Sequence, residues 1–223
     1  MQHSVFKEEK RTIEDEVADS LRRAILLGEF KRGDRIVQEE WAKKLGVSRM
    51  PIREALIRLE LEGIVKNVPR KGAVVCPITP EDIEEIYTLR VVNESLAMEK
   101  ALPFITDRDL EEIESILIEM ENLDLTDKNI DFYSNLNKKY HQKMIERCPW
   151  RRVKQNVELL WTGFLPISSP RLLKNSHHKS RKEHRQIFEA LSTKDEKVVK
   201  SIVEFHIERN KMDLIHSFKK RNL

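Results

Sequence analysis

Residues 46–65, GVSRMPIREALIRLELEGIV, decide how the chain is read. Turned at about 100° per residue, Ile52, Ala55, Leu56 and Leu59 gather into one apolar stripe, the mark of a short amphipathic helix. Arg49 and Arg53 form a second stripe, roughly 90° from the middle of the first, with Met50 and Ile57 just beyond. The arginines leave the core seam clear and project from the N-terminal half, where the helix dipole adds positive charge. Ser48 stands at the helix start, and its hydroxyl is expected to accept from a free first-turn amide. Pro51 is tolerated there because those amides have no intrahelical acceptor.

Upstream, EEWAKKL (residues 39–45) reads as a short helix with Trp41, Ala42 and Leu45 on one side, stopped by Gly46. Two helices joined by a tight glycine-containing turn make a helix-turn-helix. Before them, Val17, Leu21, Ala24 and Ile25 recur at helical spacing, with Gly28 as a left-handed cap and KRGD as a turn. After Gly63, IVKNV and AVVCPI are valine-rich strands flanking PRKG, a hairpin with a basic tip. Arginine pairs bidentately with guanine O6 and N7 or forks onto phosphate, and recognition helices reach base edges from their N-terminal residues. Ser48, Arg49, Met50 and Arg53 are the candidate groove contacts. Lys43, Lys44, Arg70 and Lys71, with Gly72 in the wing, would add backbone contacts.

The chain as a whole has 223 residues, 35% of them charged and 39% apolar, with a net charge of +3. Such a length holds one large or two modest domains. A small net charge argues only weakly for an anionic partner, so what matters is that the positive charge is local. Cys76 and Cys148 are far apart and form neither a paired-thiolate metal pattern nor a disulfide framework. The N-terminal MQHSVFKEEKRTIEDE has no apolar stretch of a secretory signal, and no apolar run is long enough to span a bilayer. A cytoplasmic protein with no membrane partner is expected.

Texture changes at Pro77 and Pro80. Five of the six glycines precede residue 73, whereas helical periods dominate from Thr79 onward. The expected division is a DNA-binding unit over residues 1–76 and an all-helical unit over 79–223. Six helices are read in the second: Thr79 to about Leu102 with TPED as its start, TDRD to about Leu125, Asp127 to Cys148, Arg151 to Phe164, 177–193 and 195–219. LPISSP is a break between the fourth and fifth. The fold class is mainly α: a winged helix-turn-helix with a small β-hairpin wing, followed by an all-α antiparallel bundle.

Three histidines fall on apolar faces of separate helices. His141 lies beside Tyr133, Leu136, Tyr140 and Met144, one turn after Asn137. His184 shares a face with Ile187, Phe188 and Leu191, and His206 aligns with Val199, Ile202 and Val203. Each alone reads as a hydrogen-bonded core histidine; three facing inward together read as ligands for a divalent metal. His3, His177, His178 and His216 do not share this inward pattern, and His177 and His178 are read as a helix start. On the first bundle helix Ile83, Ile86, Tyr87, Arg90, Glu94 and Ala97 trace one face. Either Arg90 and Glu94 satisfy each other within it, or Arg90 meets a carboxylate ligand.

With these residues in place, GDRIVQEEWAKKLGVSRMPIREALIRLELEGIVKNVPRKGAVV resembles the winged helix-turn-helix of GntR-type bacterial transcription regulators over residues 10–76. The resemblance rests on GVSRxPxREALxRLExEGxV and the wing RxG, and it implies that Arg49, Arg53 and the wing around Gly72 touch DNA. Glu39 stands where some members carry a basic contact. Residues 79–218 are similar to the FCD ligand-binding domain through EIYTLRVVNE, NKKYH, EHRQIFEAL and FHIERN. That likeness implies a divalent metal held by His141, His184 and His206, with Asn137 in place of the usual aspartate, next to a small organic acid. An amide oxygen is a poorer ligand than a carboxylate for a hard ion, which turns the expectation towards zinc or nickel.

The function expected is a non-enzymatic regulator whose homodimer reads a near-palindromic duplex operator under control of an organic acid, with Arg90 and Glu94 as effector contacts. A regulator sensing the metal itself is one rival. A three-histidine metalloenzyme with an open coordination position is the other, against which no general base stands beside the histidines.

Overall fold

A computed structural model describes residues 12–26, 29–30, 33–76, 79–126, 128–162 and 177–221. His3, Gly28, Pro77, the first half of KRGD and the LPISSP break lie outside the described residues. The chain divides into two compact units, Met1–Ile78 and Thr79–Leu223.

In the first unit, α1 (Ile13–Leu26), α2 (Gln38–Leu45) and α3 (Arg49–Leu61) precede a hairpin of β1 (Val65–Val68) and β2 (Gly72–Val75). Val17, Leu21 and Ala24 of α1 are buried with Ile52, Ala55, Leu56 and Leu59 of α3, the stripe expected from the spacing. Arg22, buried in this core, donates from Nε and Nη2 to both Glu62 oxygens at 2.9 and 2.7 Å. That fork ties α1 to the end of α3 without leaving a charge unsatisfied. Gly46, at φ 67°, ends α2, and its N–H turns back to the carbonyls of Ala42 and Lys43.

One local expectation fails. Ser48 does occupy the N-cap of α3, in extended backbone, but its side chain makes no cap hydrogen bond. Pro51 at the third helical position has no amide hydrogen to offer a serine cap, and the second-position amide, on Met50, is not bonded by it either.

The hairpin pairs Val65 with Val75 and Val68 with Gly72, antiparallel. Its tip is a turn closed by the Lys71 N–H on the Val68 carbonyl at 3.0 Å. Pro69 sits second in that turn and Arg70 third at φ 66°, left-handed backbone that a type II turn usually gives to glycine. The segment before α2 lies along the other edge of β2. Ile36 N–H donates to the Ala73 carbonyl at 2.9 Å, Val75 N–H to Asp34 at 2.9 Å, and Gly33 N–H to Val75 at 3.1 Å.

The second unit is all helix: α4 (Pro80–Ala101), a short 3-10 turn (Leu102–Phe104), α5 (Asp107–Asn122), α6 (Ile130–Ile145), α7 (Arg151–Thr162), α8 (His177–Thr193) and α9 (Glu196–Arg221). The expected helices are present, with α5 and α6 each ending three residues early. Thr79 and Thr106 each build a capping box, with Asp82 and Asp109 as the reciprocal acids. Asp109 also accepts two bonds from Arg147, at 2.9 and 3.0 Å, so one buried carboxylate caps α5 and holds the end of α6. Long α9 packs along α4 and against α8, while α7 and α6 flank α4 and α5 pairs with α6 and α8. Among the described residues, no helix is long and apolar enough to cross a membrane.

Candidate metal centre and nucleic-acid face

The inward faces of α6, α8 and α9 bring His141, His184 and His206 together. All three are buried, and one nitrogen from each lies within 4.8 Å of the others. Ring centroids are 5.2 Å apart for His141 and His184, 5.5 Å for His141 and His206, and 4.7 Å for His184 and His206. They border a cavity of about 60 Å³ that Tyr87 and Arg90 of α4, Asn137 of α6 and Asn210 of α9 also line.

Desolvation dominates the electrostatics here. Burial holds His141 and His184 well below the ordinary 6.5, reinforced by neighbouring positive charge. His206 is also lowered by burial, although Glu183 opposes that shift. Burial thus favours the neutral ring at all three positions, the state in which imidazole binds metal. Among the described residues, neither ring nitrogen of His184 has a hydrogen-bond partner, although both are buried. Buried polar atoms are nearly always satisfied, so orphaned nitrogens in a ring of neutral imidazoles fit a bound cation. The donor set suits a borderline divalent ion, with the Asn137 oxygen as the candidate fourth ligand.

Arg90 and Glu94 are paired, as the one-turn spacing allows: Arg90 Nε lies 2.6 Å from Glu94 Oε1. The indole N–H of Trp161 on α7 donates to the same oxygen at 2.8 Å. The guanidinium also lies over the Tyr87 ring, 4.7 Å from its centroid. Arg90 thus keeps its charge in a buried place and still borders the cavity.

One reading is corrected. His177 is the first residue of α8, as expected of a helix start, yet it also faces the cavity rather than lying outside the inward pattern. Among the described residues its buried Nε2 has no partner, its ring meets Tyr133 edge-on at 4.3 Å, and burial pushes its pKa down to about 4. It stands seven residues, two helical turns, before His184, a repeat that places both on one face. The Tyr133 hydroxyl is another orphan, and Ser180 completes this wall. His178 and His216 are exposed.

In the other unit, Ser48, Arg49, Met50 and Arg53 are all exposed along the N-terminal half of α3, Met50 to 59%. Lys43 and Lys44 are exposed on α2. Lys44 reaches Glu29 at 2.8 Å and lies 4.3 Å over the Trp41 ring. Arg70 and Lys71 are exposed at the hairpin tip beside half-buried Gly72. Arg58, further along α3, is held by Asp15 and Glu62.

Comparison with known proteins places these two arrangements. Residues 13–75 match the family of bacterial regulatory proteins called gntR, and residues 85–209 match the FCD domain. The chain is 31% identical over 202 residues to YdhC of Bacillus subtilis, an HTH-type transcriptional regulator, with 89% of each chain covered. It is 28% identical over 187 residues to the gluconate operon transcriptional repressor of Bacillus licheniformis, covering 83% of this chain and 74% of that one. The solved structure of Escherichia coli McbR/YncC has the same fold, with a TM-score of 0.72 at 20% identity over 94% of this chain and all of that one. These are DNA-binding regulators and not enzymes, which sets the metalloenzyme reading aside. The exposed basic helix and the buried cavity thus belong to a member of the GntR family of transcription regulators, with an FCD-type ligand-binding domain as its helical half.

Proposed function

We propose that this regulator binds a near-palindromic operator as a homodimer and that a small organic acid, bound beside a divalent metal in the helical bundle, controls its DNA affinity. In each half-site α3 enters the major groove, with Arg49 and Arg53 on base edges or phosphates and Ser48 and Met50 next to them. The missing serine cap supports this, because the first amides of α3 and the Ser48 hydroxyl stay available to a phosphate. Lys43 and Lys44 on α2, and Arg70, Lys71 and Gly72 in the wing, hold the flanking backbone.

The cavity carries the sensing half of this reading. His141, His184 and His206 would hold the ion with Asn137, and a bound ion would supply a Lewis-acidic anchor for a carboxylate. Arg90 supplies fixed positive charge at the same cavity, kept in place by Glu94 and Trp161. An effector changes DNA affinity only by favouring one arrangement of the dimer over another. Titrating purified protein with a panel of hydroxy, sugar and dicarboxylic acids, with and without added zinc or nickel, tests this. One acid class should bind and shift operator affinity in a mobility-shift assay; no response to any acid overturns the effector assignment.

The orphaned nitrogens of His184 favour one second reading, in which the metal itself is the signal. Metal titration without acid should then change operator affinity on its own.

A further inference from the structure

We propose that Glu183 is the positioning residue of the histidine cluster: it fixes the tautomer and orientation of His206 so that Nε2 offers its lone pair to the cavity. This rests on the reading of His141, His184 and His206 as metal ligands, and it adds a residue that does not itself border the cavity.

Glu183 precedes His184 on α8, so the two side chains leave the helix about 100° apart. His184 turns into the cavity, whereas the Glu183 carboxylate turns to α9, where Oε2 lies 2.7 Å from His206 Nδ1. A carboxylate only accepts, so a neutral His206 must carry its proton on Nδ1. The lone pair is then on Nε2. The other side of the ring agrees: the Asn210 amide nitrogen stands 3.1 Å from Nε2, as a donor to a lone pair does, and an ion taking up that lone pair would displace it. Two neighbours on opposite edges of one ring impose the same tautomer.

The carboxylate is itself held. Arg209 Nε donates to Glu183 Oε1 at 2.6 Å, and the same guanidinium reaches Ser180 Oγ and Asp213, each at 2.9 Å. Glu183 is 6% exposed, so rotation away from His206 would strand a buried charge. His184 contrasts with this, since among the described residues nothing fixes its tautomer. One ligand of the cluster is thus preset and another is free to adapt. Histidine ligands that donate their second N–H to a carboxylate gain basicity and a fixed ring angle.

The test uses the full-length protein and its Glu183→Gln and Glu183→Asp variants. Long-range nitrogen–proton NMR on metal-free samples reads the His206 tautomer, and chelator competition reads zinc affinity. Thermal melting confirms that each variant is folded. In the unsubstituted protein His206 should carry its proton on Nδ1. Glutamine can donate as well as accept, so E183Q should mix the tautomers and weaken zinc about ten- to hundredfold. E183D should restore much of the Nδ1–H form and of the affinity. Arg209→Met, which removes the brace but leaves the carboxylate on His206, should fall between E183Q and the unsubstituted protein. A proton on His206 Nε2 in the unsubstituted protein, or zinc affinity unchanged in folded E183Q, overturns the proposal. If the unsubstituted protein takes up no zinc, the metal reading fails and the proposed positioning role with it, whatever the tautomer.

Discussion

Arg90 and Glu94 form a buried ion pair one turn apart on α4, and Trp161 closes it from α7 by donating to the carboxylate. Each group makes the other tolerable in the interior. Removing one alone leaves an uncompensated charge, so Arg90→Met should destabilise the bundle by about 3 kcal/mol. Arg90→Met/Glu94→Gln should recover most of that loss in urea denaturation. The recovered double variant should still fail to answer organic acids, separating the structural role of Arg90 from its proposed role in binding.

Arg53 projects from α3 without serving the core. Arg53→Ala should leave the unfolding transition unchanged and weaken operator binding by about 1–3 kcal/mol. Mobility shifts at two salt concentrations also sort its contact. A base contact relaxes sequence preference, whereas a phosphate contact lowers affinity evenly and flattens the salt dependence.

Arg70 occupies left-handed backbone at the wing tip, where a side chain costs roughly 1 kcal/mol relative to glycine. Arg70→Gly should therefore raise thermal stability slightly, or leave it level once chain entropy is counted, while reducing operator affinity. Opposite movement of the two measurements would mark a residue kept for contact rather than for the fold.

Asn137 borders the cavity where a carboxylate would be the stronger ligand for a divalent ion. Asn137→Asp should raise zinc affinity by about tenfold or more in chelator competition. The unsubstituted protein should in turn be isolated with substoichiometric metal that chelators strip readily, as elemental analysis would report.

Asp109 is held far below the ordinary carboxylate range by the Arg147 fork and by the Thr106 bonds, against the upward push of burial. Because its folded pKa is depressed, it stabilises the bundle fully above its ordinary value of 3.8. That contribution is lost as pH falls below 3.8 towards the folded value. Asp109→Asn should cost about 1–2 kcal/mol at neutral pH, since it weakens a cap and a partly exposed arginine pair. The difference between variant and unsubstituted protein should shrink in acid-denaturation curves.

Most of the fold is legible from spacing because most helices carry an apolar stripe and several have a marked start or stop. The Thr79 and Thr106 boxes, the Gly46 stop and the valines of the hairpin each encode a boundary within a few residues. The three histidines were legible for the same reason, as polar groups on apolar faces. The features that spacing does not reveal lie at helix ends or between helices. His177 opens α8, where only one side offers neighbours from which to judge periodicity. Glu183 and Asn210 look like ordinary surface polar residues until α8 and α9 are set side by side. Ser48 is misleading in the sequence because its residue type favours a cap while Pro51, at the third helical position, has no amide hydrogen to give.

The strand β2 has company on both edges: β1 on one, and the chain leading into α2 on the other. Main-chain bonds therefore lock the hairpin to the lead-in of the helix pair, whatever side chains decorate them. The spacing between the helix pair and the hairpin is then a property of the backbone, like the gap between the tines of a fork. On the proposed DNA-binding reading, substitutions on α3 change which bases are preferred and leave the length of the footprint as it is.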